Sequence, residues 1–180
     1  MTPRSIRPGE MLWPLLLAVA AIGGSWLFAC VTPFAAFAAV AATTERPRMA
    51  LGTVALIWAA NQAVGYAFLD YPHDATTLLW GLAIVASALL ATAAAILVAA
   101  RLGDNRRWAR LGLAFVAAFA VYEIVLLIPA AATGEAANFA PVIVGELVLL
   151  NAAWLIGLAI VIEGLVRLGW PKLSRARQPA

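Results

Sequence analysis

The sequence predicts an all-α fold, a polytopic bundle of transmembrane helices, on three observations. The 180 residues are 64% hydrophobic, with a mean hydropathy of +0.94. Only 12% are charged, about half the share a soluble domain carries. The apolar residues gather in segments at about 11–44, 50–69, 76–100, 111–132 and 142–168. A spanning helix needs ~20 apolar residues to cross ~30 Å of hydrocarbon. In lipid the backbone must satisfy its own polar groups, so these segments must be helices, and the alternation of a barrel strand is absent. No polar tract is long enough for a separate soluble domain, so residues 1–180 read as one integral membrane domain.

The first segment is the ambiguous element. As one helix, residues 11–44 would run roughly 50 Å at ~1.5 Å per residue. Two full crossings need about 60 Å plus a turn. Gly23-Gly24-Ser25 and Pro33 are candidate breaks. The expectation is five spanning helices, or six if this segment folds back. Arg4 and Arg7 ahead of 12–22 resemble the start of a signal peptide, and Leu27-Phe28-Ala29-Cys30 resembles a lipoprotein box. Cleavage there would leave 33–44 too short to span, so Cys30 reads as a buried membrane cysteine.

The remaining segments order themselves by the charge of their loops. Loop one-two carries Arg46 and Arg48, and loop three-four carries Arg101, Arg106, Arg107 and Arg110. The C-terminal tail carries Lys172, Arg175 and Arg177. Loops two-three (Asp70 to Asp74) and four-five (with Glu135) contain no Lys or Arg. Positive loops stay in the cytoplasm. The expected location is therefore the cytoplasmic (inner) membrane of a bacterium, with the C-terminus inside. Five crossings then put Arg4 and Arg7 outside, against the same rule; six put them inside.

Helices associate in lipid through small residues. Such residues recur four apart at Ala83, Ser87, Ala91, Ala95 and Ala99, and at Ala59, Ala63 and Ala67. Segment one has Ala35/Ala39 and Ala38/Ala42; segment five has Gly145, Ala153 and Gly157. These faces suit packing inside the bundle, or docking of a membrane partner subunit. Trp13, Trp80, Trp108 and Trp170 fall near segment ends, as interfacial anchors do.

Polar groups at bilayer depth are the functional signal. A carboxylate there costs ~2.5–3.5 kcal/mol and so faces a cavity or a partner. Glu123, Glu146, Asn151, Asn61 and Gln62 place such groups on three helices, between mid-depth and the arginine-poor face. They read as the lining of a ligand cavity, as a proton or ion path, or as interhelical hydrogen bonds that hold the bundle, the last being the leading reading for Asn61, Gln62 and Asn151. Tyr66, four residues after Gln62, is expected to share its face. Asn61 and Gln62 point about 100° apart, so both can border one groove only if it is wide. Glu146 and Asn151 differ by about 140°, so at least one of them contacts a neighbouring helix instead. Glu163, four residues before Arg167, reads as half of an ion pair. Asp70, His73 and Asp74 supply weak candidate metal ligands within one loop.

Composition also excludes. One cysteine, Cys30, forbids an intramolecular disulfide, and one histidine, His73, forbids an intrachain bis-histidine haem. The 12 cations, against 9 acidic residues, lie in loops and tails, which orients a membrane protein and implies no nucleic acid. No cofactor and no catalytic constellation is evident, so the chain does not read as an enzyme. A lipid-acting enzyme would need a base and a nucleophile together; Glu123 has no evident partner and His73 lies in a loop.

The size, the composition and the string Ala35-Ala36-Phe37-Ala38-Ala39 with Ala42 resemble the S components of energy-coupling factor transporters. That resemblance implies six helices, a substrate site open to the outside, and docking to a transport module through the alanine face. The string Asn61-Gln62-x-x-Gly65-Tyr66, followed by Tyr71-Pro72, looks like a signature but assigns no family. The expected function is a small solute-binding or transport-associated subunit with an outward-facing polar cavity. The alternative is a non-catalytic accessory subunit of a larger membrane complex.

Overall fold

The computed structural model describes residues 12–27 (backbone alone from 24 to 27), 32–102 and 106–168. Its helices are α1 (Leu12–Leu27), α2 (Phe34–Thr44), α3 (Pro47–Phe68), α4 (Ala75–Ala100), α5 (Arg107–Thr133) and α6 (Pro141–Arg167). A 3-10 turn, Ala136–Phe139, precedes α6, and no strand occurs among the described residues. The molecule is an all-α bundle, as predicted. Helices α3 to α6 are long and apolar enough to cross a membrane. Arg4, Arg7, Cys30, Trp170 and the tail cations Lys172, Arg175 and Arg177 lie outside the described residues.

The first apolar segment is two helices, not one. Helix α1 ends by Leu27, after the Gly23-Gly24-Ser25 run, and α2 starts directly after Pro33, which has no N–H to continue a helix. Their 16 and 11 residues make helices of about 24 and 16 Å, each short of a full crossing. Helix α1 packs against α3. The Trp13 indole N–H donates to Thr44 Oγ1 at 3.2 Å, which brings the start of α1 to the end of α2. Trp13, expected at the interface, is therefore buried.

Helix α2 is the core. It packs against α3, α4, α5 and α6, and every side chain from Phe34 to Ala41 is at most 3% exposed. Ala35, Ala38, Ala39 and Ala42 are buried all round, so the alanine face of segment one packs inside this chain and is closed to a partner. The α4 stripe behaves alike, with Ser87, Ala91, Ala95 and Ala99 buried. The α3 stripe Ala59, Ala63, Ala67 and the α6 positions Gly145, Ala153, Gly157 are instead exposed.

Two faces of the bundle differ in charge. The α2–α3 turn, the α4–α5 turn and the end of α6 gather Arg46, Arg48, Arg101, Arg106, Arg107, Arg110 and Arg167. Glu163 ties this face together: it binds Arg167 at 3.2 Å, as its spacing predicts, and also Arg107 of α5 at 2.7 Å. The opposite face carries the α3–α4 and α5–α6 turns, with no arginine or lysine in either.

Candidate functional site

A cavity of about 450 Å³ opens in the arginine-poor half of the bundle. Each element contributes to it for a local reason. The C-terminal half of α3 brings Asn61 and Gln62 to its wall, and the start of α4 brings Trp80 and Ile84. The C-terminal half of α5 supplies Tyr122, Glu123 and Leu126, spaced so that one helix face carries all three. Leu147 and Asn151, four apart on α6, complete the opposite wall. Thr32 and Phe34 approach from the start of α2, and Tyr71 from the α3–α4 turn.

The rim is set by one glycine. Helix α5 ends at Gly134 in the left-handed region, φ 81°, and the Glu135 N–H returns to the Ala130 carbonyl at 2.8 Å. That bond is the usual closure of a glycine-terminated helix. It folds the chain back, so that Glu135, Asn138 and Phe139 overhang the cavity. A second close approach lies at Gly65, where an added Cβ would meet the Tyr71 ring. Tyr71 sits against the α3 backbone because position 65 has no side chain.

The predicted polar residues divide into two sets. Asn61, Gln62, Glu123 and Asn151 all line the cavity, and the groove is wide enough for Asn61 and Gln62 together. The two asparagines also hold the bundle. Thr32 Oγ1 donates to Asn61 Oδ1 at 3.0 Å. Asn151 Oδ1 accepts the Ala36 N–H at 3.3 Å, and its Nδ2 donates to the Leu147 carbonyl at 3.0 Å. Asn151 thus caps the first turn of α2 from another helix, in the absence of a capping side chain at Pro33. Glu123 differs: its Oε2 is buried with no hydrogen-bond partner.

Glu146 and Tyr66 do not reach the cavity. Glu146 is exposed, because it follows Gly145 on the outer face of α6 while Leu147 and Asn151 turn inward. Tyr66 packs behind the wall, with ring centroids 5.8 Å from Tyr71 and 5.2 Å from His73. It lies one turn nearer the end of α3 than Gln62, where the loop residues Tyr71 and His73 cover it.

The loop residues Asp70, His73 and Asp74 stand apart. Asp74 caps α4, accepting the Thr77 N–H at 2.7 Å, and that bond holds its carboxyl below the usual range. His73 packs against Tyr66, and Asp70 takes a left-handed turn at φ 52°. No group of three or more His, Cys, Asp or Glu is positioned for a metal ion among the described residues.

The cavity walls also include residues that intramembrane polarity does not flag. Trp80 fits an interfacial anchor by position, and Tyr122 is one aromatic in an apolar run. Tyr122 stacks on Phe34 with centroids 5.9 Å apart, which fixes the wall beside Glu123. Glu135 signals only that loop four-five is acidic. Comparison of the chain with protein-family models, curated proteins and solved structures gives no match.

Proposed function

We propose that this chain is an integral membrane protein that binds a small polar solute in the cavity between α3, α4, α5 and α6. The observation that carries this reading is convergence. Four polar residues on three helices, each costly in lipid, face one 450 Å³ space instead of scattering over the surface. That volume is within the ~300–1,000 Å³ of small-molecule sites. Apolar and aromatic walls with a few placed polar groups are also their usual composition.

Orientation follows from charge. The arginine-rich face belongs in the cytoplasm and the cavity opens to the outside. A transport-associated role is supported by this outward site and by the resemblance to energy-coupling factor S components. In this chain the alanines of α2 are internal, so a transport module would have to dock on another face. The second reading, an accessory subunit of a larger complex, draws on the exposed small residues Gly145, Ala153 and Gly157, which leave α6 open to close helix packing.

A thermal-shift screen of purified protein against amines, amino acids, vitamins and sugars tests the binding reading. Wild type is compared with Leu126→Trp, which fills the cavity. A compound that stabilises wild type and not Leu126→Trp is the expected result. Equal shifts in both proteins, or no shift in wild type, count against it. Crosslinking in native membranes tests the second reading, for which a solely monomeric species is the adverse outcome.

A further inference from the structure

The cavity has a charge character that narrows its ligand. This step rests on the cavity being a binding site. Glu123 and Glu135 both line it, and no Lys, Arg or His does among the described residues. Every described arginine lies at the opposite face. The N-termini of α2, α4 and α6 oppose this at the same end, each worth about half a positive charge, and the C-termini of α3 and α5 offset two of them. Against two carboxylates, that leaves the lining net negative.

We infer that the cavity takes a small organic cation, an ammonium group on an apolar body. Glu123 stands at the inner wall with Oε2 buried and unpartnered, so an N–H donor carrying positive charge supplies what this oxygen lacks. Trp80 and Tyr122 flank the same space, and aromatic faces attract ammonium groups. Apolar lining from Ile84, Leu126 and Leu147 suits the body of such a ligand. Other classes fit less well. An anion would meet two carboxylates and no cation. A bare metal ion would need several oxygen or nitrogen ligands in one place, and no group of three carboxylate, histidine or cysteine residues is positioned for this among the described residues.

Isothermal titration of the detergent-solubilised full chain tests this with one body in three charge states: 2-phenylethylammonium, 2-phenylethanol and phenylacetate. The ammonium is expected to bind at least about tenfold tighter than the alcohol, a factor that one charge pair supports. Phenylacetate is expected to bind weakest. Glu123→Gln should erode the preference for the ammonium over the alcohol, and Glu135→Gln, at the rim, should erode it less. Should Glu123→Gln not fold, the wild-type ranking and Glu135→Gln still decide. If the alcohol or phenylacetate binds wild type as tightly as the ammonium, the cation class is overturned while the binding cavity stands. If none of the three binds at millimolar concentration, the cation class is overturned, and the thermal-shift screen against Leu126→Trp decides the binding reading separately. An ammonium preference that survives intact in both variants overturns the assignment to these carboxylates.

Discussion

The Trp13 side chain donates a hydrogen bond to Thr44 across 31 positions of sequence, and so joins the start of α1 to the end of α2. The first turn of α1 therefore lies at the face that holds Arg46 and Arg48. We predict that Arg4 and Arg7 share that face, in keeping with the orientation rule.

Cysteine labelling tests that geometry. In a Cys30→Ser background, Ser5→Cys and Arg48→Cys are expected to react with an impermeant thiol reagent from the same side of sealed vesicles. Labelling from opposite sides would contradict that placement.

Two alanine stripes that look alike in sequence should respond in opposite ways. Ala39 on α2 is fully buried and Ala63 on α3 is exposed. Ala39→Leu forces extra volume into a filled core, at a cost of about 1–3 kcal/mol or more. Ala63→Leu meets no such wall. Thermal unfolding in detergent should therefore show a clear loss for Ala39→Leu and little change for Ala63→Leu. Equal losses would contradict the placement of α2 at the centre.

That contrast also marks what the sequence could and could not reveal. The ends of α3 to α6 were legible within a few residues, because apolar length reports hydrocarbon thickness. Helix α5 begins earlier than its apolar run, at Arg107, since a helix continues past the hydrocarbon wherever its charged turn can reach water. Asn61, Gln62, Glu123 and Asn151 were legible from their cost in lipid. Which alanine stripe faces inward was not, because stripes recur throughout and only tertiary pairing selects among them. Glu146 misled for a related reason: its depth is right, but one residue of helical rotation points it outward. Glu135 and Asn138 reach the cavity only through the turn at Gly134, which no periodicity reports.

Asn151 is expected to stabilise more than its own helix. Asn151→Ala removes one of two acceptors of the Ala36 N–H, which also reaches the Pro33 carbonyl at 3.1 Å, and one such hydrogen bond is worth about 0.5–1.5 kcal/mol. Average interhelical hydrogen bonds in lipid are worth ~0.6 kcal/mol, so a loss above that value separates this cap from ordinary packing. Chemical or thermal unfolding of Asn151→Ala against wild type measures it. No loss would show that the cap is dispensable.

Glu45, in the turn between α2 and α3, predicts a pH dependence. Burial pushes its carboxyl up to about 7, against an opposing hydrogen bond from Thr53 at 2.7 Å. The folded chain therefore keeps a proton that the unfolded chain releases above its ordinary value of 4.5. Stability from this group is fully present below that pH, declines as pH rises toward 7, and is flat above. The decline is about 3 kcal/mol at most. Melting temperatures of wild type should fall over this window relative to Glu45→Gln. Parallel curves for the two proteins would contradict the burial of Glu45.

The cavity beside Glu123 is the point on which everything functional depends, and neighbouring positions of α5 report on its access to water directly. Leu126 lines the cavity, whereas Ile124 is 62% exposed on the outer surface of the helix, toward lipid. In a Cys30→Ser background, Leu126→Cys and Ile124→Cys can be exposed to a water-borne, membrane-impermeant thiol reagent in sealed vesicles. Modification of Leu126→Cys from the arginine-poor side, with Ile124→Cys unreactive, is the expected result. An unreactive Leu126→Cys, or modification from the arginine-rich side alone, would contradict an outward-facing polar cavity.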